Sequence, residues 1–195
     1  MKLSTLLLLT LLTMGSLSAQ DAPLPLRDIP PADETYSPGS VLARMIEGLG
    51  HRYYWATEGL RDEDLTYKIS EDSRSTAETI EHLHGLSIAI YCSAVGIPRE
   101  YNDLGELSFA EQRRMTLENL DKAAKALRGK SEAEVAELSI IFKRTDRESE
   151  FPYWNMINGP IADAIYHTGQ IVSYRRAAGN PIPKGVNVFM GTGPK

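Results

Sequence analysis

The chain has 195 residues with 21 basic and 26 acidic side chains, 42% hydrophobic content and a single cysteine. The acidic balance argues against a nucleic-acid partner, which needs a basic face. A lone cysteine, Cys92, excludes an internal disulfide, so stability has to come from one packed core, which a chain of this length can build.

Met1 to Ala19 reads as a secretory signal peptide: Lys2, an apolar run from Leu6 to Leu12, then Leu17-Ser18-Ala19 at the cut. The run is too short for a stable membrane anchor, and no cysteine near the cut could accept a lipid. The exported chain is expected to start near Gln20, periplasmic or secreted, and to be mildly acidic. Residues 20–39 are proline-rich and aperiodic, an extended leader that lies on the domain or is loose.

A first helix is predicted from about Ser40 to Leu60, with Val41, Leu42, Met45, Leu49, Arg52 and Ala56 on one stripe. Arg44, His51, Trp55 and Glu58 lie on its other side, as a solvent face or as the lining of a groove. Arg61 to Arg74 is a polar connection. Ser75-Thr76-Ala77-Glu78 has capping-box spacing and opens a second helix to about Val95. His82 sits at the edge of that helix's apolar stripe, whereas His84 is roughly 130° from its centre. Gly96 to Leu107 is a loop, and a second capping box at Ser108-Glu111 opens a third helix to Gly129. A short helix from Ser131 to Leu138, an extended run from Ser139 to Lys143 and a charged connection from Arg144 to Phe151 follow.

The last helix occupies Ile161 to Asn180, preceded by a bend at Gly159-Pro160 and closed by Gly179 and Pro181. One of its faces carries Ile161, Ala164, Thr168 and Ile171, and a face nearly opposite carries Asp163, His167, Gln170 and Tyr174. Asp163 and His167 are i,i+4 neighbours, close enough to bind one ion together, and Gln170 continues the row. The competing reading is that the row is simply the wet side of an amphipathic helix. The pattern as a whole gives an all-α domain over 40–181, an up-down four-helix bundle with a long connection before the last helix, and a tail at 182–195. No Walker loop, GxGxxG, HExxH or GxSxG occurs, which disfavours nucleotide binding and serine-hydrolase chemistry.

Three places in the chain resemble the DinB / YfiT-like superfamily: the capped second helix Ser75-Thr76-Ala77-Glu78 with His82-Leu83, the run Tyr166-His167-Thr168-Gly169-Gln170-Ile171, and the ending Arg175-Arg176-Ala177-Ala178-Gly179-Asn180-Pro181. That resemblance spans roughly Ser40 to Pro181. It implies a bundle of that type with a divalent-metal site, whose ligands here would be His82, Asp163 and His167. Asp163 stands where the family often has another histidine. A carboxylate hardens a zinc or nickel ligand set and moves its preference towards manganese or iron.

The resemblance also implies thiol-dependent transferase or isomerase chemistry, or metal-dependent hydrolysis. An exported protein lacks the cytosolic supply of small thiols, which favours hydrolysis of a small-molecule substrate. Gln170 would support a ligand or a substrate oxygen. The alternative is a non-catalytic binding bundle whose groove of Trp55, Glu58, Tyr174 and the His/Asp row holds a small molecule or a partner. A haem bundle is disfavoured because no C-x-x-C-H motif is present. An apolar helix face left uncovered would serve a homodimer.

Overall fold

Serine capping boxes set where three of the helices begin. Glu78 N–H donates to Ser75 Oγ (3.1 Å) and Ser75 N–H donates back to the Glu78 carboxylate (2.6 Å), so two orphan amides are satisfied reciprocally. The same exchange is made by Ser108 with Glu111 and by Ser131 with Glu134. These caps open α3 (Thr76–Ala94), α4 (Phe109–Leu127) and α5 (Glu132–Ala136). At α1 (Pro38–Thr57) Ser37 Oγ accepts from Ser40 N–H, and Pro38 occupies a first-turn position where its missing N–H costs nothing.

The computed structural model describes residues 23–101 and 105–195. The expected signal peptide, 1–19, lies outside these residues. No helix among them is long and apolar enough to cross a membrane. The long helices α1 and α3 each pack against both α4 and α7 (Ala162–Ala177). Between them lie Ile46, Leu49, Tyr53, Ile80, Leu83, Ile90, Leu117, Leu120, Ile161 and Ile171, all essentially closed to solvent. Each such aliphatic side chain contributes roughly 1.5–3 kcal/mol of transfer free energy.

The fold is mostly helical and not purely so. The run Ser139–Lys143 forms β2 as its β-branched residues suggest, but Glu148–Pro152, expected to be part of a charged connection, forms β3 and pairs with it antiparallel. Arg99–Glu100, inside the expected loop, forms β1 and pairs with β2 in parallel, giving a sheet of order β1-β2-β3. The sequence of β3, Glu-Ser-Glu-Phe-Pro, has little strand propensity of its own. Its pairing comes from the ladder that β2 offers.

The connection from Arg61 also holds structure, a single turn α2 (Asp62–Leu65) with Asp64 wholly buried. Before α7, a short helix α6 (Trp154–Met156) runs into a π-helical segment, Ile157–Ile161, where Gly159 leaves the helical region at φ −95°, ψ −108°. The proline after it cannot donate a backbone hydrogen bond, so the bend falls at the expected place.

The second face of α1 is closed at His51 and Trp55, whereas Arg44 and Glu58 stay partly exposed and Arg44 lines a groove with Ile29 and Phe189. The leader lies across it, with His51 Nδ1 and Trp55 Nε1 both bonded to the Arg27 carbonyl (2.8 and 2.9 Å) and Leu26 seated against Gly50, where a Cβ would collide with the leucine. The C-terminal residues close over the leader in turn. Ile29 N–H donates to Gly191 O (2.8 Å), Gly193 N–H to Asp28 Oδ1 (2.6 Å) and the Arg27 guanidinium to Pro194 O (2.6 Å).

Where α7 ends, Arg175 is buried completely. Its guanidinium donates to the carbonyls of Trp55, Ala56 and Glu58 at the end of α1 (3.1, 3.0 and 2.9 Å) and to Asn180 O and Oδ1 (2.7 and 3.2 Å). A cation at a helix C-terminus meets both its open carbonyls and the negative end of its dipole. Asn180 continues the chain of bonds to Asp64 Oδ2 (2.6 Å), which also accepts from Arg61 N–H (2.8 Å). Replacing Arg175 by methionine removes every donor while keeping much of the volume. It is expected to destabilise the protein by about 3–5 kcal/mol in urea unfolding.

The Arg61 guanidinium beside Asp64, joined by Arg61 N–H and the Asn180 amide, holds its carboxyl far below the usual carboxylate range against the cost of burial. A carboxyl depressed by folding stabilises above its unfolded value, near 4, and loses that contribution as pH falls below it. The stability gap between the parent and Asp64→Asn is therefore expected to be largest near neutral pH and to shrink between about pH 4 and pH 2, read from urea midpoints.

Candidate metal centre

α3 and α7 lie against each other, and at their contact three side chains converge. His82 Nε2 is 3.0 Å from Asp163 Oδ2, and His167 Nε2 is 3.3 Å from Asp163 Oδ1. One ligand atom from each of the three lies within 4.8 Å of the other two. The two imidazoles meet edge to face, with ring centroids 4.7 Å apart. Local helix geometry explains the α7 half, since residues four apart share a face. The α3 half depends on His82 projecting from the edge of its apolar stripe.

Gln170, one turn beyond His167, places Oε1 2.7 Å from His167 Nδ1. An amide oxygen only accepts, so Nδ1 donates and carries the proton. In a neutral ring Nε2 is then an acceptor, and it stands 3.3 Å from Asp163 Oδ1, itself an acceptor. Two acceptors 3.3 Å apart repel unless a positive charge stands between them. Donor atoms each about 2.1 Å from a tetrahedral ion stand about 3.4 Å apart, close to the separations of Asp163 from the two histidines. The donor set, and the separation of Asp163 from each histidine, therefore suit a divalent transition metal.

His84, expected on the outer side of its helix, is instead 5% exposed and packs towards α4, with Nδ1 3.3 Å from Thr116 Oγ1. Burial pushes its pKa down, with a smaller contribution from Arg99. The correction follows from the bundle packing: α3 is covered on two sides, by α4 and by α7, so its stripe and the face beyond it are both enclosed. His82, not His84, meets His167.

The other residues expected at a groove do not come to the site. Trp55 is buried beneath the C-terminal residues, where a Cβ at Gly193 would clash with its ring. Glu58 turns to Arg113 on α4 (2.5 Å). Tyr174 is buried with its ring against Tyr67 (5.8 Å between centroids). Tyr174 is only about 20° around α7 from His167 but about 10.5 Å further along its axis, where Tyr67 covers it.

The groove that does open beside His82 has a volume of about 690 Å³ and runs along α3 past Gly85, Leu86 and Ala89, with Arg99, Tyr101 and Phe142 from the strand side opposite. Sequence reasoning assigned none of these strand-side residues, because β1 is two residues long and is held in place only by its pairing to β2.

Comparison of the chain with protein-family models, with curated proteins and with solved structures finds no match.

Burial of His84 and partial exposure of His82 should separate the two α3 histidines in stability. His84→Ala is expected to cost about 1–3 kcal/mol of stability, as removal of a buried, bonded side chain does. His82→Ala, at a solvent-reached position, should cost less than about 1 kcal/mol. Paired thermal and urea melts check the order, and the reverse order would place the wrong histidine in the core.

Proposed function

We propose that the protein is an exported four-helix bundle of DinB / YfiT type that holds a divalent transition metal on His82, Asp163 and His167 and acts as a metal-dependent hydrolase or transferase on a small substrate. The observation that carries the reading is the pair of imidazole nitrogens facing one carboxylate, with the His167 proton committed to Gln170 on the far side of the ring. The packing of α1, α4, α3 and α7 around one core supports the bundle assignment. The positions of His82 and of His167-Thr168-Gly169-Gln170 support the resemblance.

Each residue has a distinct task. Gln170 fixes the His167 ring in the tautomer that leaves Nε2 free, the usual service of a partner behind a metal-binding imidazole. Asp163 contributes the negative charge of the set and bridges towards both rings. His82, from the other helix, makes the site depend on α3 and α7 being docked. A bound divalent metal would supply Lewis-acid polarisation of a substrate oxygen. With one carboxylate among the donors, manganese and iron compete better with zinc and nickel than at a three-histidine site. The groove beside His82 gives a substrate access from one side. Hydrolysis is the favoured chemistry for a chain outside the cytosol.

Elemental analysis of the purified protein, followed by titration of the chelator-treated form with Mn²⁺, Fe²⁺, Ni²⁺ and Zn²⁺, tests the reading. One equivalent is expected. His82→Ala and His167→Ala should abolish uptake, and Asp163→Asn should weaken it because the charge is lost while one oxygen stays. Gln170→Ala should weaken it by about 10–100-fold. His84→Ala should bind as the parent does. A parent that takes up no metal even on reconstitution would leave the row as a polar face and remove this reading.

A further inference from the structure

Arg99 is the one feature of the groove that neither the core nor the metal centre explains. It is half-buried, and among the described residues its guanidinium has no carboxylate within ion-pair distance. Its contact is with the Tyr101 ring, 4.4 Å from the guanidinium carbon, while Arg144 lies 4.2 Å from the same ring. A second cation nearby adds to the positive field at the groove's end, and burial already pulls the Arg99 pKa down. A guanidinium partly withdrawn from water gains from an anion partner.

Position matters as much as charge. A Cβ placed on Gly85 would lie 3.4 Å from Arg99 Nη2, so the guanidinium rests on α3 at the glycine. Gly85 is three residues after His82, just under one turn and about 4.5 Å along the helix axis. Both residues line the same groove, with Leu86 and Phe142 supplying apolar wall. The carboxylates that also line it are placed otherwise. Glu78 is held by Ser75 N–H and Lys68, and Glu81 is exposed on α3 one residue before His82. Arg74 belongs to that outer end as well.

We propose that Arg99 is the oxyanion-binding residue of this groove, and that the substrate is a small molecule carrying a carboxylate or phosphate on Arg99 with its reacting group one helical turn away at His82, Asp163 and His167. The planar fork of arginine suits both anions, which it grips through two parallel N–H···O bonds. Strand β1 sets this geometry. Its pairing with β2, Arg99 against Phe142, holds the arginine over α3, so the small sheet has a role in recognition. The substrate class rests on the metal-centre reading; the anion site itself does not.

Calorimetric titration of the full chain with benzoate and with phenylphosphonate, metal-free and metal-loaded, tests this and tells a carboxylate preference from a phosphate one. One saturable site is expected for at least one probe on the metal-free parent. Arg99→Gln should weaken it by about tenfold or more, Arg99→Lys should retain part of it, and Arg144→Gln should change it by less than about threefold. Metal uptake by Arg99→Gln should match the parent, and His82→Ala should still bind the probe when metal-free. Thermal melts of each variant confirm the fold. A parent that binds neither probe, or an Arg99→Gln protein that binds as the parent does, overturns the inference while leaving the metal centre standing. Arg99-dependent binding by a protein that takes up no metal sustains the anion site and overturns the metal centre instead.

Discussion

A single buried guanidinium, that of Arg175, holds the end of the last helix to the end of the first. It closes the carbonyl end of α1 and bonds to Asn180, which continues to Asp64 and so to Arg61. A charge taken wholly out of water is tolerable only when its donors are satisfied, and the Arg175 positions that achieve this are few. The rotation and height of α7 against α1 are therefore tightly set. Asp163 and His167 ride on that same helix, about 18 and 12 Å away along its axis. Where they point is a consequence of where Arg175 is anchored.

The other end of α7 is fixed by different means. Gly159 departs from helical geometry and Pro160 restarts the helix, with Ile161 buried immediately after. Between that bend and the Arg175 anchor, α7 has little freedom to turn, and Thr168 and Ile171 press its apolar side into the core. The opposite row is left to meet α3, which carries His82. Two rigid helices bringing three candidate ligands together is a more precise construction than a loop would give. Gln170 adds the bond that fixes one ring's tautomer.

The leader and the C-terminal residues do for α1 what a neighbouring helix would do. They cover His51 and Trp55 and bond to each other through Ile29 and Gly191. The sheet does a comparable task at the other side of the molecule. It is small, but its β1 edge carries Arg99 to the groove and its centre carries Phe142. Segments that look like connections on hydropathy alone thus enclose the first helix and furnish one wall of the candidate site.

What the sequence determined by itself were the features that depend on neighbours in the chain. The capping boxes at Ser75, Ser108 and Ser131 mark helix starts because the serine and glutamate reach amides within the same turn. The bend at Gly159-Pro160 follows from backbone chemistry, and Asp163, His167 and Gln170 share a row because a helix has a fixed period. Even the choice of His82 over His84 as the partner of His167 was legible from the edge of one apolar stripe. What only the tertiary structure decided were the contacts between distant segments. Trp55, Glu58 and Tyr174 looked available on their own helices and were taken up by the C-terminal residues, Arg113 and Tyr67. His84 looked exposed and was covered by α4. β1 has too few residues, and β3 too little propensity, to announce themselves before β2 offers a ladder. Arg99 gained its place over Gly85 by that pairing alone. Local periodicity records which side of an element a residue is on, and carries no information about which other element will arrive to cover it.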